Sequence, residues 1–242
     1  MQKWEDKWLM QFNPSKCNVI WVTHKRNVFE SHYNIHGTLL ENKSCVKYLG
    51  VNIDSKLSWK RHIDITAQKA DSVRAFIGRN LQSSSRVVKA QCCTTLVRPI
   101  VEYASTIWDP HTTESISKLE RIQRRCARTV FGVWGRDTSV TQLLEELKWN
   151  ELGQRRKQTK LIMFYKILHG YVEVCTPNYL LQNQSRTRGH DKRFLVPQGN
   201  SEVFNNSFFP SAIRLWNKLA QETIAAESVS AFKTAIASAR FD

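Results

Sequence analysis

The spacing of hydrophobic residues changes near Leu57. Before that residue, β-branched and aromatic residues form short runs, which favour strands. After it, apolar residues recur at a period of about 3.6, which predicts amphipathic helices. The pattern therefore predicts a mainly α protein with a short N-terminal α+β segment.

Residues 1–57 combine one helix with a few strands. The helix is predicted over residues 4–12, and Asn13-Pro14 ends it. Strands are predicted over residues 17–23, 33–35, 38–40 and 46–53. His36-Gly37 separates two of these strands and suits a tight hairpin turn, because glycine adopts positive φ without a steric cost. This segment is too small to be a complete α/β domain.

Most of the remaining chain has a helical pattern. Helices are predicted over residues 59–81, 86–107, 113–131, 139–170 and 208–240. Ser58 is expected to be the N-cap of the first, and Pro99 is expected to divide the second because proline lacks an N–H and clashes with the preceding turn. Further breaks are predicted near Trp149-Asn150 and within 223–229.

The predicted helix 113–131 carries two different stripes. Its basic residues fall within an arc of about 80° on a helical projection: Lys118, Arg121, Arg125 and Arg128. Its apolar residues occupy the adjacent arc: Leu119, Ile122, Cys126 and Val130. We expect the apolar stripe to pack and the basic stripe to face outward. A basic face of this kind fits contacts with backbone phosphates, although an ordinary solvated surface explains the same pattern.

A second basic cluster opens a later helix and consists of Arg155, Arg156, Lys157 and Lys160. The following run, residues 161–168, is apolar on nearly all sides, which indicates burial. The cluster has the same two interpretations as the first, phosphate binding or a solvated surface.

The charge balance supports a polyanionic partner. Lys and Arg number 36 against 21 Asp and Glu, a formal net charge of +15, and this excess favours nucleic acid or an anionic membrane surface. Solubilising charge or a compositional bias is the alternative. No apolar run approaches the ~20 residues of a membrane span, and residues 1–10 are charged where a signal peptide is apolar. We therefore expect an intracellular protein, cytoplasmic or nuclear, without a membrane partner.

The sequence offers no catalytic or metal-binding constellation that we can defend. The six cysteines include no CxxC pair, so reduced thiols are expected in place of a zinc site. Two-metal phosphoryl transfer needs clustered carboxylates, whereas Glu5-Asp6 and Glu145-Glu146 fall in predicted helices. Five tryptophans occur in apolar periodic contexts, which favour core packing over base stacking: Trp4, Trp8, Trp59, Trp149 and Trp216.

Six phrases, taken in order, resemble the downstream half of reverse transcriptases of jockey-like and CR1-like non-LTR (LINE) retrotransposons. They cover nearly the whole chain: WEDKWLMQFNPSKCNVI (4–20), VKYLGVNIDSKLSWKRHI (46–63), LVRPIVEYASTIWDP (96–110), KLERIQRRCART (118–129), RTRGHDKRFLVP (186–197) and SFFPSAIRLWNKL (207–219). Each phrase is weak alone, but their common order makes the resemblance specific.

The resemblance implies a three-part organisation. Residues 1–57 would be the end of a palm with a primer-grip-like hairpin, 58–132 a thumb-like helical domain, and 133–242 a helical C-terminal extension. Tyr48, Leu49 and Gly50 would contact the primer 3′ end. The thumb would follow the template–primer duplex through its backbone, which favours phosphate binding by the basic stripe of helix 113–131.

The resemblance also implies what the parent enzymes contain and this sequence does not. Their catalytic Asp-Asp turn and their fingers should precede Trp4, where this sequence has only Met1 to Lys3. We therefore expect no catalytic residue and no cofactor in this chain, although the parent family uses Mg²⁺. The expected function is non-specific binding of RNA or DNA, including template–primer. The alternatives are a domesticated helical RNA- or DNA-binding protein and a non-functional product of a truncated element.

Overall fold

In a computed structural model, the chain forms two compact units, residues 1–62 and residues 63–242. The structure describes residues 2–25, 31–135, 137–176, 180–183, 190–237, 239 and 241. The prediction of a mainly α protein with a short N-terminal α+β segment is confirmed. The division into palm, thumb and extension stays a prediction.

The first unit contains helix α1, Gln2–Trp8, and three small two-stranded sheets. Its strands are β1 Asn18–Val19, β2 Asn34–Ile35, β3 Thr38–Leu39, β4 Glu41–Asn42, β5 Cys45–Tyr48 and β6 Val51–Asp54. Strand β1 pairs with β4 in parallel, whereas β2–β3 and β5–β6 are antiparallel. A 3₁₀ turn, Pro14–Lys16, follows α1.

Helix α1 and strand β1 are both shorter than predicted. The chain leaves the helix at Leu9, whose φ is +50°. It then turns back, so that the Phe12 N–H donates to the Glu5 carboxylate over 2.7 Å. This local contact replaces the last helical turn that the spacing of Trp4, Trp8 and Phe12 predicts.

Two tight turns organise the strands. The predicted hairpin at His36-Gly37 is confirmed, with φ angles of +49° and +75°. The run 46–53, predicted as one strand, is instead divided into β5 and β6 by a second two-residue turn. Leu49 and Gly50 form this turn with φ angles of +44° and +85°, the left-handed pair typical of a type I′ hairpin.

The helices that follow are α2 Lys60–Asn80, α3 Arg86–Cys92, α4 Arg98–Glu102, α5 Ser105–Trp108, α6 Thr113–Phe131, α7 Val140–Glu146, α8 Leu152–Leu168, α9 Glu202–Asn205, α10 Phe208–Trp216, α11 Gln221–Ile224 and α12 Val229–Ala237. The predicted limits of helix 113–131 are confirmed, as is the break before α8. Pro99 does interrupt its helix, since a π-helical turn, Cys93–Val97, joins α3 to α4 just before it. The last predicted helix is broken twice, between α10 and α11 and between α11 and α12.

Ser58 is not the N-cap of α2. Its hydroxyl donates to the Asp54 carboxylate over 2.6 Å. Trp59, which lies between Ser58 and the first helical residue, has a φ of +59°. Ser58 therefore stabilises the end of the β5–β6 hairpin instead of the start of the helix.

An aromatic core joins α8 to the C-terminal helices. Tyr165 stacks on Phe232 with ring centroids 4.4 Å apart, and its hydroxyl donates to the Ala226 carbonyl over 2.7 Å. Phe164 meets Trp216 edge to face at 5.4 Å. These side chains are buried. Within residues 161–168, Leu161, Phe164 and Tyr165 are buried and the others are partly buried, so the predicted burial of this run is confirmed in part.

A buried ionic cluster ties α8 to the residue that follows α5. The Asp109 carboxylate accepts from Arg156 Nε over 2.9 Å and from Lys160 Nζ over 2.7 Å. Lys160 also donates to the Ser211 hydroxyl of α10 over 2.9 Å. The Arg156 and Lys160 side chains are only 2% and 5% exposed. The expectation that they contact nucleic acid is thereby corrected, because a phosphate cannot reach them in this fold.

Replacing Asp109 by Asn would leave two buried cations without their counter-charge. We expect the free energy of unfolding to fall by about 3–5 kcal/mol, as for other broken buried ion pairs. Glu102→Gln is the matched control, since the Glu102–Arg155 pair is more exposed and should cost about 1 kcal/mol or less. Denaturant unfolding measures both changes, and equal losses would contradict the assigned role of Asp109.

Candidate nucleic-acid interface

Helix α6 carries the predicted basic stripe, and its two ends are well defined. Thr112 precedes the helix in an extended conformation, and Gly132 ends it with a φ of +69°, the left-handed C-terminal position that glycine favours. The predicted packing stripe is confirmed, since these four side chains are at most 4% exposed: Leu119, Ile122, Cys126 and Val130. Their burial turns the opposite side of α6 outward.

Two cations of the outward stripe are neutralised by acidic residues of α2. Lys118 pairs with Asp64, and Arg125 pairs with Asp71 over 2.8 Å. Burial raises the pKa of the Asp71 carboxyl, but hydrogen bonds and charge from Arg74 and Arg125 outweigh it and hold that pKa below its ordinary value. Asp71 is therefore charged at neutral pH and remains a partner of both arginines.

Three arginines of α6 keep their positive charge uncompensated within the described part of the chain. Arg121 and Arg124 are exposed and form no ion pair with another described residue. Arg128 donates to the Gly135 carbonyl over 2.9 Å, a neutral acceptor that leaves its charge available. These three side chains form the candidate interface, which we call the arginine stripe.

Arg124 belongs to this stripe but was not predicted. On a helical projection it lies about 40° beyond Arg128, at about 100° per residue, just outside the arc that the sequence analysis selected. The signal was present, because the buried residues of α6 leave Arg124 on the solvent side. A wider arc would have included it.

The second predicted cluster is not a free basic surface. Arg156 and Lys160 belong to the buried Asp109 cluster. Arg155 makes a two-pronged contact with the Glu102 carboxylate, its Nη2 atom lying 2.9 Å from Oε2. The hydrogen bond to Glu102 raises the pKa of Arg155. Its charge is permanent, but a carboxylate already compensates it.

Tyr48, Leu49 and Gly50 lie at the tip of the β5–β6 hairpin, in the first unit. The Tyr48 and Leu49 side chains are 64% and 75% exposed. Leucine rarely adopts the positive φ found at Leu49, because its Cβ then approaches the following carbonyl oxygen. Leu49 is therefore an exposed apolar residue in a strained backbone conformation.

The tryptophans are less uniformly buried than predicted. Trp216 is in the core, as expected, but Trp4 and Trp8 are 42% and 56% exposed. A further tryptophan, Trp134, is 59% exposed just beyond the end of α6. Sequence periodicity gave no reason to single out Trp134, because it lies in a loop.

The described residues contain no group of three or more His, Cys, Asp or Glu side chains arranged to hold a metal ion. One member of each acidic pair noted in the sequence contacts another residue. Glu5 accepts from Phe12 and lies 2.9 Å from His36, and Glu146 lies 3.7 Å from Arg86. Within the same part of the chain, every helix is too short or too polar to cross a membrane.

Sequence comparison identifies relatives among Drosophila mobile elements. The chain is 24% identical over 132 residues to the probable RNA-directed DNA polymerase from transposon BS of Drosophila melanogaster, 52% of this chain and 14% of that protein. It is 29% identical over 138 residues to the RNA-directed DNA polymerase from mobile element jockey of Drosophila funebris, 54% of this chain and 14% of that protein. The corresponding protein from transposon X-element of Drosophila melanogaster is 27% identical over 137 residues, with the same coverage of 54% and 14%.

The chain thus spans about one seventh of the length of the curated relatives it matches, 14% in each of these cases. No family model and no solved structure matches it. The relatives nevertheless confirm the resemblance noted in the sequence: over about half of its length, this chain is related to the RNA-directed DNA polymerases of jockey-like retrotransposons.

Proposed function

We propose that this chain is a non-catalytic, C-terminal part of a jockey-like reverse transcriptase and binds nucleic acid without sequence specificity. The relatives are named as RNA-directed DNA polymerases, so template–primer is the natural ligand. The observation that carries the proposal is the arginine stripe of α6, in which Arg121 and Arg124 are exposed and form no ion pair with another described residue.

The chemistry of the stripe suits phosphate. A guanidinium group presents several N–H donors in a planar fork that matches phosphate oxygens, and it remains charged at any physiological pH. Binding a phosphate releases counterions from the nucleic acid, which supplies affinity without reading the bases. Arg121, Arg124 and Arg128 follow one another along a single face, so they suit successive phosphates of one backbone.

The acidic partners on α2 limit the size of the interface. Asp64 and Asp71 already compensate Lys118 and Arg125, and a phosphate would have to displace a carboxylate to reach them. We therefore assign about three phosphate contacts to α6, which corresponds to a log–log salt slope of about −3 on duplex DNA. The affinity expected for such contacts is micromolar or weaker at physiological salt.

Replacing Arg121 and Arg124 together by Gln tests the proposal. Both side chains are exposed, so the fold should survive, while affinity falls and the salt slope becomes shallower by about 2 units, one per lost phosphate contact. Fluorescence anisotropy with a labelled duplex across a salt series measures both quantities.

The matched control for this experiment is Lys218→Gln with Lys233→Gln, which removes the same charge from two exposed lysines near the C-terminus. It should lower affinity only slightly, since net charge alone has a weak, screened effect. Equal losses in the two double variants would show that binding follows net charge and would contradict a localised interface.

The hairpin tip is the second proposed contact, following the resemblance of Tyr48, Leu49 and Gly50 to a primer grip. Leu49→Asn should stabilise the protein by about 1 kcal/mol, because Asn-Gly suits a type I′ turn and relieves the strained leucine. If the leucine contacts the primer, binding to a recessed 3′ end should weaken at the same time.

Leu39→Asn is the control for the hairpin experiment, because Leu39 is also exposed, at 62%, but lies on β3. It should not change binding to the recessed end. Unfolding measurements and titrations of recessed and blunt duplexes are compared for both variants. A Leu49→Asn protein that is more stable and binds both duplexes as before would contradict a contact between the hairpin tip and the primer.

The proposal gives the chain no polymerase activity of its own. Two-metal catalysis needs clustered carboxylates, whereas Glu5 and Glu146, members of the adjacent acidic pairs, lie on helices and pair with His36 and Arg86. With Mg²⁺, the metal of the parent family, the purified chain should add no nucleotide to an RNA-templated primer. A template-dependent extension product that persists through further purification would overturn this part of the proposal.

A further inference from the structure

Trp134 is an exposed aromatic side chain held beside the arginine stripe. Its ring is 59% exposed, and the Arg74 guanidinium lies over it, 5.9 Å from the ring centroid. Large exposed aromatic rings next to cations are a recurrent feature of single-strand binding surfaces, where bases stack on the ring and phosphates meet the charges.

The loop that carries Trp134 is fixed to α6 on both sides of the ring. The Val133 N–H donates to the Arg128 carbonyl over 3.2 Å, and Arg128 Nη1 donates to the Gly135 carbonyl over 2.9 Å. Gly132, with its positive φ, turns the chain out of the helix just before this segment. The backbone on both sides of Trp134 is therefore fixed relative to the last turn of α6.

Arg74, the cation that lies over the ring, is also held in place. Arg74 Nε donates to Asp71 over 2.6 Å, and its Nη1 donates to the Thr129 hydroxyl over 3.3 Å. Asp71 also binds Arg125. Arg74 is thus held by α2 and α6 together, with its side chain only 13% exposed, so it polarises the ring and leaves the exposed part to a ligand.

The charge around the ring selects an anionic ligand. Arg74 lies over the Trp134 ring and Arg128 donates to the Gly135 carbonyl of the loop, while the Asp71 carboxylate is shared between Arg74 and Arg125. A neutral apolar partner would gain nothing from these charges. An unpaired nucleotide offers both required features, a flat base for the ring and a phosphate for a guanidinium.

We propose that Trp134 is a stacking platform for an unpaired nucleobase, so that this end of α6 takes a single-stranded nucleic acid or an unpaired strand end. The inference rests on the proposed function and adds a ligand class to it. In a duplex, the bases are already stacked on one another and offer no free face along the helix, whereas an unpaired strand offers one at every nucleotide.

The inference is tested by measuring how the Trp134→Ala substitution changes the affinity of the protein for four probes. The probes are an oligothymidylate of about 15 nucleotides, the corresponding oligouridylate, an abasic strand of the same length and a duplex hairpin whose loop and open end are both closed by non-nucleotide linkers. We expect affinity for the two unpaired strands to fall about tenfold and affinity for the abasic strand and the hairpin to change less than about twofold, since neither offers a free base. The two unpaired strands show whether DNA or RNA is preferred.

Two further variants make the result specific. Trp134→Phe keeps an aromatic face and should retain most of the affinity for the unpaired strands. Trp8→Ala removes another exposed tryptophan, 56% exposed on α1, and should change no affinity. Circular dichroism verifies that each variant is folded, which is expected because both tryptophans are on the surface.

The outcomes separate this inference from the proposed function. Loss limited to the unpaired strands supports both. Wild-type binding with no effect of Trp134→Ala, or with equal losses on all four probes, overturns the stacking platform and leaves the arginine stripe intact. If the wild-type protein binds none of the probes at low salt, both proposals fail.

Photochemical cross-linking tests independently whether a base stacks on Trp134. A strand carrying 5-iodouracil forms adducts with aromatic side chains that stack on it, and peptide mass spectrometry locates them. An adduct on Trp134 that is lost in Trp134→Ala supports the assignment. Adducts confined to other aromatic residues overturn it.

Discussion

The buried stripe of α6 is the contact on which the candidate interface depends. Leu119, Ile122 and Cys126 fix the rotation of this helix against α3, α7 and α8, and that rotation alone decides which cations face outward. Since side chains on a helix recur at a period of 3.6, a fixed apolar stripe also fixes the opposite face. The chemistry of the surface therefore follows from the packing of the core.

Charge on this surface is set by pairs of helices, not by α6 alone. Asp64 and Asp71 of α2 lie beside the basic face and compensate two of its five cations. The Asp71 carboxylate also pairs with Arg74, whose guanidinium lies over the Trp134 ring. Asp71 therefore compensates the charge of Arg125 and also holds Arg74 against the Trp134 ring.

Sequence reasoning predicted what depends on local periodicity and missed what depends on tertiary contacts. The limits of α6, the interruption at Pro99 and the burial of Leu161, Phe164 and Tyr165 each follow from spacing or from one residue's geometry. The burial of Arg156 and Lys160 depends on Asp109, distant in sequence, and no pattern within α8 reveals that partner. Likewise, the contact between Arg74 of α2 and the Trp134 ring joins residues 60 positions apart in sequence, so no local pattern predicts it.

Arg128 belongs to the arginine stripe and also holds the loop that carries Trp134, so it links the phosphate contact to the stacking platform. Its guanidinium donates to the Gly135 carbonyl, a bond to a neutral group that uses part of its donor fork and leaves the charge and other N–H groups for a phosphate. A phosphate bound there would lie next to the segment that carries Trp134. The base attached to a neighbouring nucleotide could then reach the ring without a rearrangement of α6, because one side chain positions both the loop and the backbone of the ligand.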